Sequence, residues 1–278
     1  STRKESSAAS DVYKRQCLDS VVATLGAGAV QEGDVALTIG SSGRICYIGS
    51  EPIYDKRLLN CRSPYQGLYT ILQTTDNAGI SLRWFRDVFG DAVQQKAEAA
   101  GLSVYDYMNT LAEKVPAGCN GLVYLPYLAG EKSPIWNSDA RGVFFGMSLS
   151  TDYGAFVRAI MEGVAFSMRD CMEIMPTAKT SASPIPLGGG AANSRVWCQI
   201  FADVLNRPIV RLKSGETETL GDFIVAAESV GLSEVSRDFG KKLAAESEVL
   251  YPDSAAVEVY DKAYQKYKAV YQNTKMLF

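Results

Sequence analysis

A chain of 278 residues, 47% hydrophobic and 21% charged, has the make-up of a globular protein with room for one large domain or two small ones. A net charge of −3 argues against nucleic-acid partners, and no apolar run approaches the ~18 to 20 residues of a membrane span. Histidine is absent, which excludes Ser-His-Asp and Cys-His chemistry and leaves proton transfer to carboxylates, lysine, tyrosine or cysteine.

Residues 1–16, STRKESSAASDVYKRQ, are polar and without apolar periodicity. They read as a disordered or non-native tail, similar to a translated cloning remnant, so the chain is expected to begin inside a longer protein. VALTIG (35–40) and RICYIGS (44–50) are β-rich and joined through Ser41-Ser42-Gly43, a hairpin signal. GLYTILQT (67–74) predicts a third strand. NAGISLRWFRDVF (77–89) carries Ile80, Trp84, Phe85 and Val88 at helical spacing. Ser103 to Asp106 reads as a capping box opening a helix towards Val115. LVYLPYL (122–128) is expected to be extended, and GEKSPIWNSDARG (130–142) is polar and turn-rich.

The stretch 155–175 predicts a long amphipathic helix. IPLGGG then ends a strand in Gly188, Gly189 and Gly190, and the helix SRVWCQIFADVLN follows, capped by Asn193 or Ser194. PIVRL (208–212) is a strand, and TLGDFIVAAESVG (219–231) is a helix ending at Gly231. In the final helix, Tyr260, Tyr264, Tyr267 and Tyr271 recur every three or four residues, which reads as a packing surface. No helix separates the first three strands, so the order predicts a mixed sheet with an antiparallel start, flanked by helices. The six cysteines (17, 46, 61, 119, 171 and 198) have long irregular gaps; they read as free thiols in the cytoplasm.

Two turns could meet an anion or nucleotide. Gly40-Ser41-Ser42-Gly43 offers N–H and hydroxyl donors, or is a plain hairpin turn. Gly188-Gly189-Gly190 leads a strand into a capped helix, either to let a ligand touch bare backbone or to let strand and helix pack closely. The glycines fit neither GxGxxG with a following acid nor a Walker lysine loop.

Taken together, LTIGSSG, YLAGEKSPIWNSDARGVFFG and PLGGGAANSRVW, in this order and spacing, resemble the FGGY carbohydrate kinases, the xylulokinases most. The signature region runs from Gly142 to Glu162; Gly142 to Met147, Phe156 and Ala159 to Glu162 fit it, and Ala155 departs. The resemblance covers residues 17–272. It implies an α/β ribonuclease-H-like domain of the actin and hexokinase type. Residues 17–278 would be the C-terminal nucleotide-binding domain, with the N-terminal sugar-binding domain missing.

The resemblance also implies roles. Gly40, Ser41, Ser42 and Gly43 resemble the second phosphate loop, with Ser41 in the place of a threonine. Gly188, Gly189, Gly190 and Ala191 resemble the adenosine motif, whose bare backbone would lie against the nucleoside; Asn193 is a polar contact or the helix cap. Leu220 and Gly221 resemble a nucleotide-adjacent segment, from which Asp222 and Phe223 depart. Asp19 aligns with the catalytic base, which takes the proton of the attacking sugar hydroxyl. Lys132, in place of an arginine, is structural or lines the cleft.

The implied cofactors are ATP and the Mg2+ carried with it, whose main ligand would lie in the N-terminal domain. The implied partners are a small sugar and, in the full-length enzyme, a second copy as homodimer. The implied reaction converts D-xylulose to D-xylulose 5-phosphate, with ribulose, gluconate, rhamnulose or glycerol as alternatives. A non-catalytic actin-like nucleotide-binding or assembly module is the rival on the same fold. Half a cleft cannot close around its reactants, so the isolated chain is not expected to phosphorylate xylulose.

Overall fold

The computed structural model describes residues 18–65, 67–175, 183–213, 217–232, 234 and 247–278; the expected tail over 1–16 and Cys17 lie outside them. In chain order these residues form α1 (Asp19–Gly26), β1 (Val35–Ile39), β2 (Gly43–Gly49), β3 (Leu59–Arg62) and β4 (Tyr69–Thr75). Three helices follow, α2 (Gly79–Phe89), α3 (Asp91–Ala99) and α4 (Val104–Glu113), then the short hairpin β5 (Val123–Leu125) and β6 (Val143–Phe145). The last part comprises α5 (Tyr153–Glu173), β7 (Ile185–Gly188), α6 (Arg195–Leu205), β8 (Ile209–Arg211), α7 (Thr217–Ser229), β9 (Glu248–Leu250) and α8 (Ser254–Thr274).

Seven strands make one sheet in the order β3-β4-β2-β1-β7-β8-β9. β1, β2, β4 and β3 pair antiparallel, starting with the hairpin register Val35↔Tyr47 to Ile39↔Gly43. β7 runs parallel to β1, β8 parallel to β7, and β9 closes the far edge antiparallel. The sheet is therefore mixed with an antiparallel start and is flanked by helices, as the element order predicts.

One sheet face presents Leu37, Ile39, Ile45, Ile71, Leu187 and Ile209, all fully buried, to the core that α5 and α6 share. The 21-residue α5 is buried along nearly its whole length, which is why small and apolar residues surround it on every side. Gly163 marks its closest approach, since a Cβ there would lie 2.4 Å from the Tyr124 carbonyl oxygen. α8 packs its tyrosine stripe inward, and each buried phenol finds a partner. Tyr260 donates to Glu162 (2.9 Å), Tyr264 donates to Asp170 (2.9 Å), and the Tyr267 and Tyr127 hydroxyls meet at 2.6 Å. Glu162, at the end of the signature region, also pairs with Arg158 at 2.9 Å and accepts from the Gly118 N–H at 3.1 Å. A buried carboxylate with this set of partners anchors three segments at once.

The opposite face, with Ala36, Ile48 and Leu212, is covered by Ala27 and Ala29 beyond α1. α1 crosses α7 with no side chain between them: a Cβ on Gly26 would lie 1.8 Å from the Thr217 carbonyl oxygen, and one on Gly221 would lie 1.9 Å from that of Val22. Gly221 is thus required by this helix contact.

Several elements differ from the reading of the sequence. α1 was unexpected because DSVVATLG has no polar face; seven of its eight residues are buried. α3 has only Val93 and Ala97 buried, and the short edge strands are mostly exposed in β3 and half-exposed in β9, so periodicity is weak in all three. In LVYLPYL only Val123–Leu125 is strand, because Pro126 lacks the N–H to extend the ladder. Val88 points outward, the buried α2 residues being Ser81, Leu82 and Phe85. Ser194, not Asn193, caps α6 by accepting from the Trp197 N–H at 3.2 Å.

The turn-rich segment after Gly130 is bolted down by Glu131, only 3% exposed. Its carboxylate accepts from the N–H groups of Asp76 (2.5 Å) and Lys132 (2.9 Å) and from the Asn77 amide (3.2 Å), tying the segment to the β4–α2 junction. Lys132 pairs with Asp76 at 3.0 Å on the surface, a structural position.

Gly221→Ala is expected to cost at least about 2 kcal/mol, because neither helix backbone can yield to the new methyl; denaturant midpoints measure it. A second expectation concerns pH. Burial pushes the Glu131 carboxyl from 4.5 up to about 7, against its hydrogen bonds. The folded state then holds the extra proton, so this group's contribution to stability is present below pH 4.5 and is lost as pH rises to about 7. The stability of Glu131→Gln relative to the parent chain should therefore increase with pH across that window, read from unfolding curves at stepped pH.

Candidate functional site

β1 and β7 lie side by side and point the same way, with Leu37↔Leu187 and Thr38↔Gly188 in register. The hairpin turn after β1 and the glycine run after β7 therefore emerge together at one end of the sheet. From β1 the chain leaves to β2 on one side, and β7 is followed by β8 on the other. Divergent exits from adjacent parallel strands open a crevice beyond their carboxyl ends, the place where α/β sheets bind ligands.

The first lip is the hairpin turn. The Gly40 N–H donates to the Ser42 carbonyl at 2.9 Å. The Gly40 carbonyl accepts from the Gly79 N–H (2.9 Å), and the Ser41 carbonyl accepts from the N–H groups of Ala78 (3.0 Å) and Ile80 (3.1 Å). The start of α2 is thus seated under the turn, bringing its positive end close, while Ser41 and Ser42 stay exposed. This seating requires Gly79, where a Cβ would lie 2.4 Å from the Gly40 oxygen.

The second lip is the glycine run, and its three residues differ. A Cβ at Gly188 would meet Thr217 Cγ2 at 3.0 Å, so this glycine serves strand–helix packing. Gly189 has φ +81° and would place a Cβ 2.7 Å from the Ile39 carbonyl oxygen, so β1 itself needs it. Only Gly190 is open, with its nearest neighbour, the Ile39 oxygen, at 3.9 Å. Protein contacts thus account for Gly188 and Gly189, and Gly190 has open space beside it. In the hairpin, Gly43 is packed against Thr75 Oγ1 (2.7 Å) and Met168 Cε (3.0 Å), while Gly40 is open, its nearest neighbour being the Ser42 oxygen at 3.9 Å.

Between the lips lies a cavity of about 490 Å³, within the size range of small-molecule sites. Of the residues singled out in the sequence, Gly40, Ser41, Gly190, Ala191 and Asn193 line it together. Ser42, Gly43, Gly188, Gly189, Leu220, Gly221, Lys132 and Asp19 do not. Leu220 is half-buried on α7.

The remaining walls were not foreseen. α2 contributes Gly79, Leu82 and Arg83; α4 and its cap contribute Ser103, Tyr105, Asp106 and Asn109; the start of α6 contributes Ser194 and Trp197. The Ser103 capping box was visible, and the structure forms it, with the Asp106 N–H 3.1 Å from Ser103 Oγ. That it faces the glycine run depends on tertiary packing.

The walls are held firmly. Ser194 Oγ donates to Asn109 Oδ1 at 2.8 Å, joining α6 to α4. Trp197 Nε1 donates to the Met161 carbonyl at 3.1 Å, fixing the indole against α5. Arg211 donates to the carbonyls of Ala192 (2.6 Å) and Asn193 (3.1 Å) and pairs with Glu248 at 3.2 Å, holding the glycine turn from outside. Arg86 lies over the Tyr105 ring at 5.0 Å and donates to its hydroxyl at 2.8 Å.

Asp19 is the exposed first residue of α1, and its Oδ1 accepts from the Ser20 N–H at 2.5 Å. Among the described residues no three Cys, Asp or Glu side chains converge to hold a metal ion. No described helix is long and apolar enough to cross a membrane.

Comparison with known proteins identifies the family and the fold. The profile of the FGGY family of carbohydrate kinases, C-terminal domain, aligns with residues 35–230. A gluconokinase from Bacillus licheniformis is 35% identical over 221 residues, 77% of this chain and 42% of that protein. A xylulose kinase from Staphylococcus epidermidis is 30% identical over 261 residues, 93% of this chain and 51% of that protein. The ligand-bound xylulose kinase from Lactobacillus acidophilus superposes with a TM-score of 0.78 at 26% identity, over 91% of this chain and 50% of its own. The Plasmodium falciparum glycerol kinase with ADP, 20% identical and with a TM-score of 0.73 over 91% of this chain and 50% of its own, shares the fold. The chain spans about half the length or less of the curated relatives it matches. The mixed sheet is that of the actin- and hexokinase-like sugar kinases, and the chain belongs to the FGGY family of carbohydrate kinases, matching their C-terminal domain.

Proposed function

We propose that this chain is the nucleotide-holding half of a cytoplasmic, ATP-dependent sugar kinase. The carrying observation is the cavity framed by Ser41 and Gly190, which parallel strands bring to one end of the sheet. The phosphates lie at the hairpin turn, where the hydroxyls and outward N–H groups of Ser41 and Ser42 and the positive end of α2 favour negative charge. The nucleoside lies across Gly190 and Ala191, with Asn193 at its rim. Gly43, Gly188, Gly189, Leu220 and Gly221 support this site by packing. Mg2+ arrives with the nucleotide, and its main protein ligand belongs to the N-terminal domain of the complete kinase, which works as a monomer or homodimer.

Asp19 acts as the base. It accepts the proton of the sugar hydroxyl as that oxygen attacks the γ-phosphoryl, a role that asks for position more than basicity. Its exposed place at the start of α1 leaves the carboxylate open to a substrate held by a second domain. D-xylulose is the substrate, converted to D-xylulose 5-phosphate, because relatives named xylulose kinase align over 93% of the chain. D-gluconate is the second reading, favoured by the 35% identity of a relative named gluconokinase. An actin-like assembly module has no use for Asp19.

The test fuses this chain behind an FGGY sugar-binding domain and supplies ATP with xylulose or gluconate. Asp19→Asn should lower turnover at least about 100-fold with nucleotide affinity unchanged. Unchanged turnover removes Asp19 as base, and no turnover on any sugar by the parent fusion favours the assembly module. The unfused chain should show none.

A further inference from the structure

Asn109 has no counterpart among the motifs, yet it lines the cavity together with Gly190 and Ala191. Its Oδ1 receives the Ser194 Oγ–H at 2.8 Å. Ser194 Oγ in turn accepts from the Trp197 N–H at 3.2 Å, so the hydroxyl is fixed at both ends. That bond sets which way the amide faces. Nδ2 is left with no hydrogen-bond partner among the described residues, and Oδ1 keeps one lone pair. A half-buried amide, oriented by its neighbour and offering one donor edge and one acceptor, is a reader of a complementary edge.

We propose that Asn109 selects adenine over guanine, a specificity role that rests on the nucleotide reading of this cavity. Adenine places an amino donor beside a ring-nitrogen acceptor, at N6 and N1 or N6 and N7. Asn109 Oδ1 accepts from N6 and Nδ2 donates to the ring nitrogen, the bidentate pairing asparagine makes with this base. Guanine sets O6 against Oδ1 on either edge, and on its N1 edge sets N1–H against Nδ2. Ser194 is a positioning residue: it touches no base and acts by holding the amide. Gly190, Ala191, Leu82 and Tyr105 line the same cavity and supply its apolar walls.

The experiment titrates the 278-residue chain with ADP, GDP and IDP by calorimetry, with thermal unfolding of each variant as control. The parent chain should bind ADP at least about 10-fold more tightly than GDP or IDP, the discrimination expected of one good bidentate pair. Asn109→Ala should weaken ADP about 10-fold and leave GDP within about twofold, erasing the preference. Asn109→Asp keeps the acceptor for Ser194 but turns the donor into an acceptor, and should move the preference towards GDP, whose N1–H and N2–H2 then have a partner. Ser194→Ala should reduce the ADP:GDP ratio more than it reduces stability. ADP and IDP binding equally well to the parent chain overturns the proposal without any variant. So does an unchanged ADP:GDP ratio in folded Asn109→Asp. No binding of any nucleotide to the parent chain instead removes the nucleotide reading itself.

Discussion

The pairing of β1 with β7 is the constraint on which the site depends. These two strands are parallel and adjacent, and each ends in a glycine-containing turn. Had β7 run antiparallel to β1, Ser41 and Gly190 would stand at opposite ends of the sheet, roughly a strand length of 15 Å or more apart. The parallel register brings them onto one cavity instead. Gly189 shows how tightly that register is set: its left-handed conformation and its contact with the Ile39 carbonyl admit no Cβ.

Around this centre, buried polar groups fix the frame. Glu162 holds Arg158, Tyr260 and the Gly118 N–H, and Glu131 holds the β4–α2 junction against the turn-rich segment. Glu162 reaches Gly118 and Tyr260, and Glu131 reaches Asp76 and Asn77, all far along the chain, so each carboxylate closes a long loop. α2 begins directly after the junction that Glu131 ties down, and it carries Gly79, Leu82 and Arg83 into the site. The signature region from Gly142 to Glu162 accordingly does structural work in this half of the protein; its terminal carboxylate faces the core.

The sequence made the central strands, α5, α6 and the tyrosine face of α8 legible because each is long and strongly patterned. Leu37 and Ile39 against Ile45 and Tyr47 alternate as a half-buried pair must, and Tyr260, Tyr264 and Tyr267 repeat at helical spacing. α1 escaped notice because burial on all sides removes the polar face that betrays a helix. Within the site, the two turns could be found from glycine and serine spacing. The α4 wall could not, since nothing local in Ser103 to Asn109 says which surface it meets. Glycine carries two meanings here. Gly188, Gly189, Gly43 and Gly221 answer to neighbouring protein atoms, whereas Gly40 and Gly190 are open and line the cavity. A run of glycines in a sequence signals close approach but does not say to what.

Trp197 reports on the central claim most directly, being one of three tryptophans and the one that lines the cavity. In a chain carrying Trp84→Phe and Trp136→Phe, its fluorescence is followed as ADP is added. A nucleotide seated between the two turns predicts a saturable change, and Gly190→Val, whose side chain would enter the cavity at an open glycine position, should abolish it while the fold stays intact. A flat titration up to millimolar ADP, or an undiminished response in Gly190→Val, would contradict it.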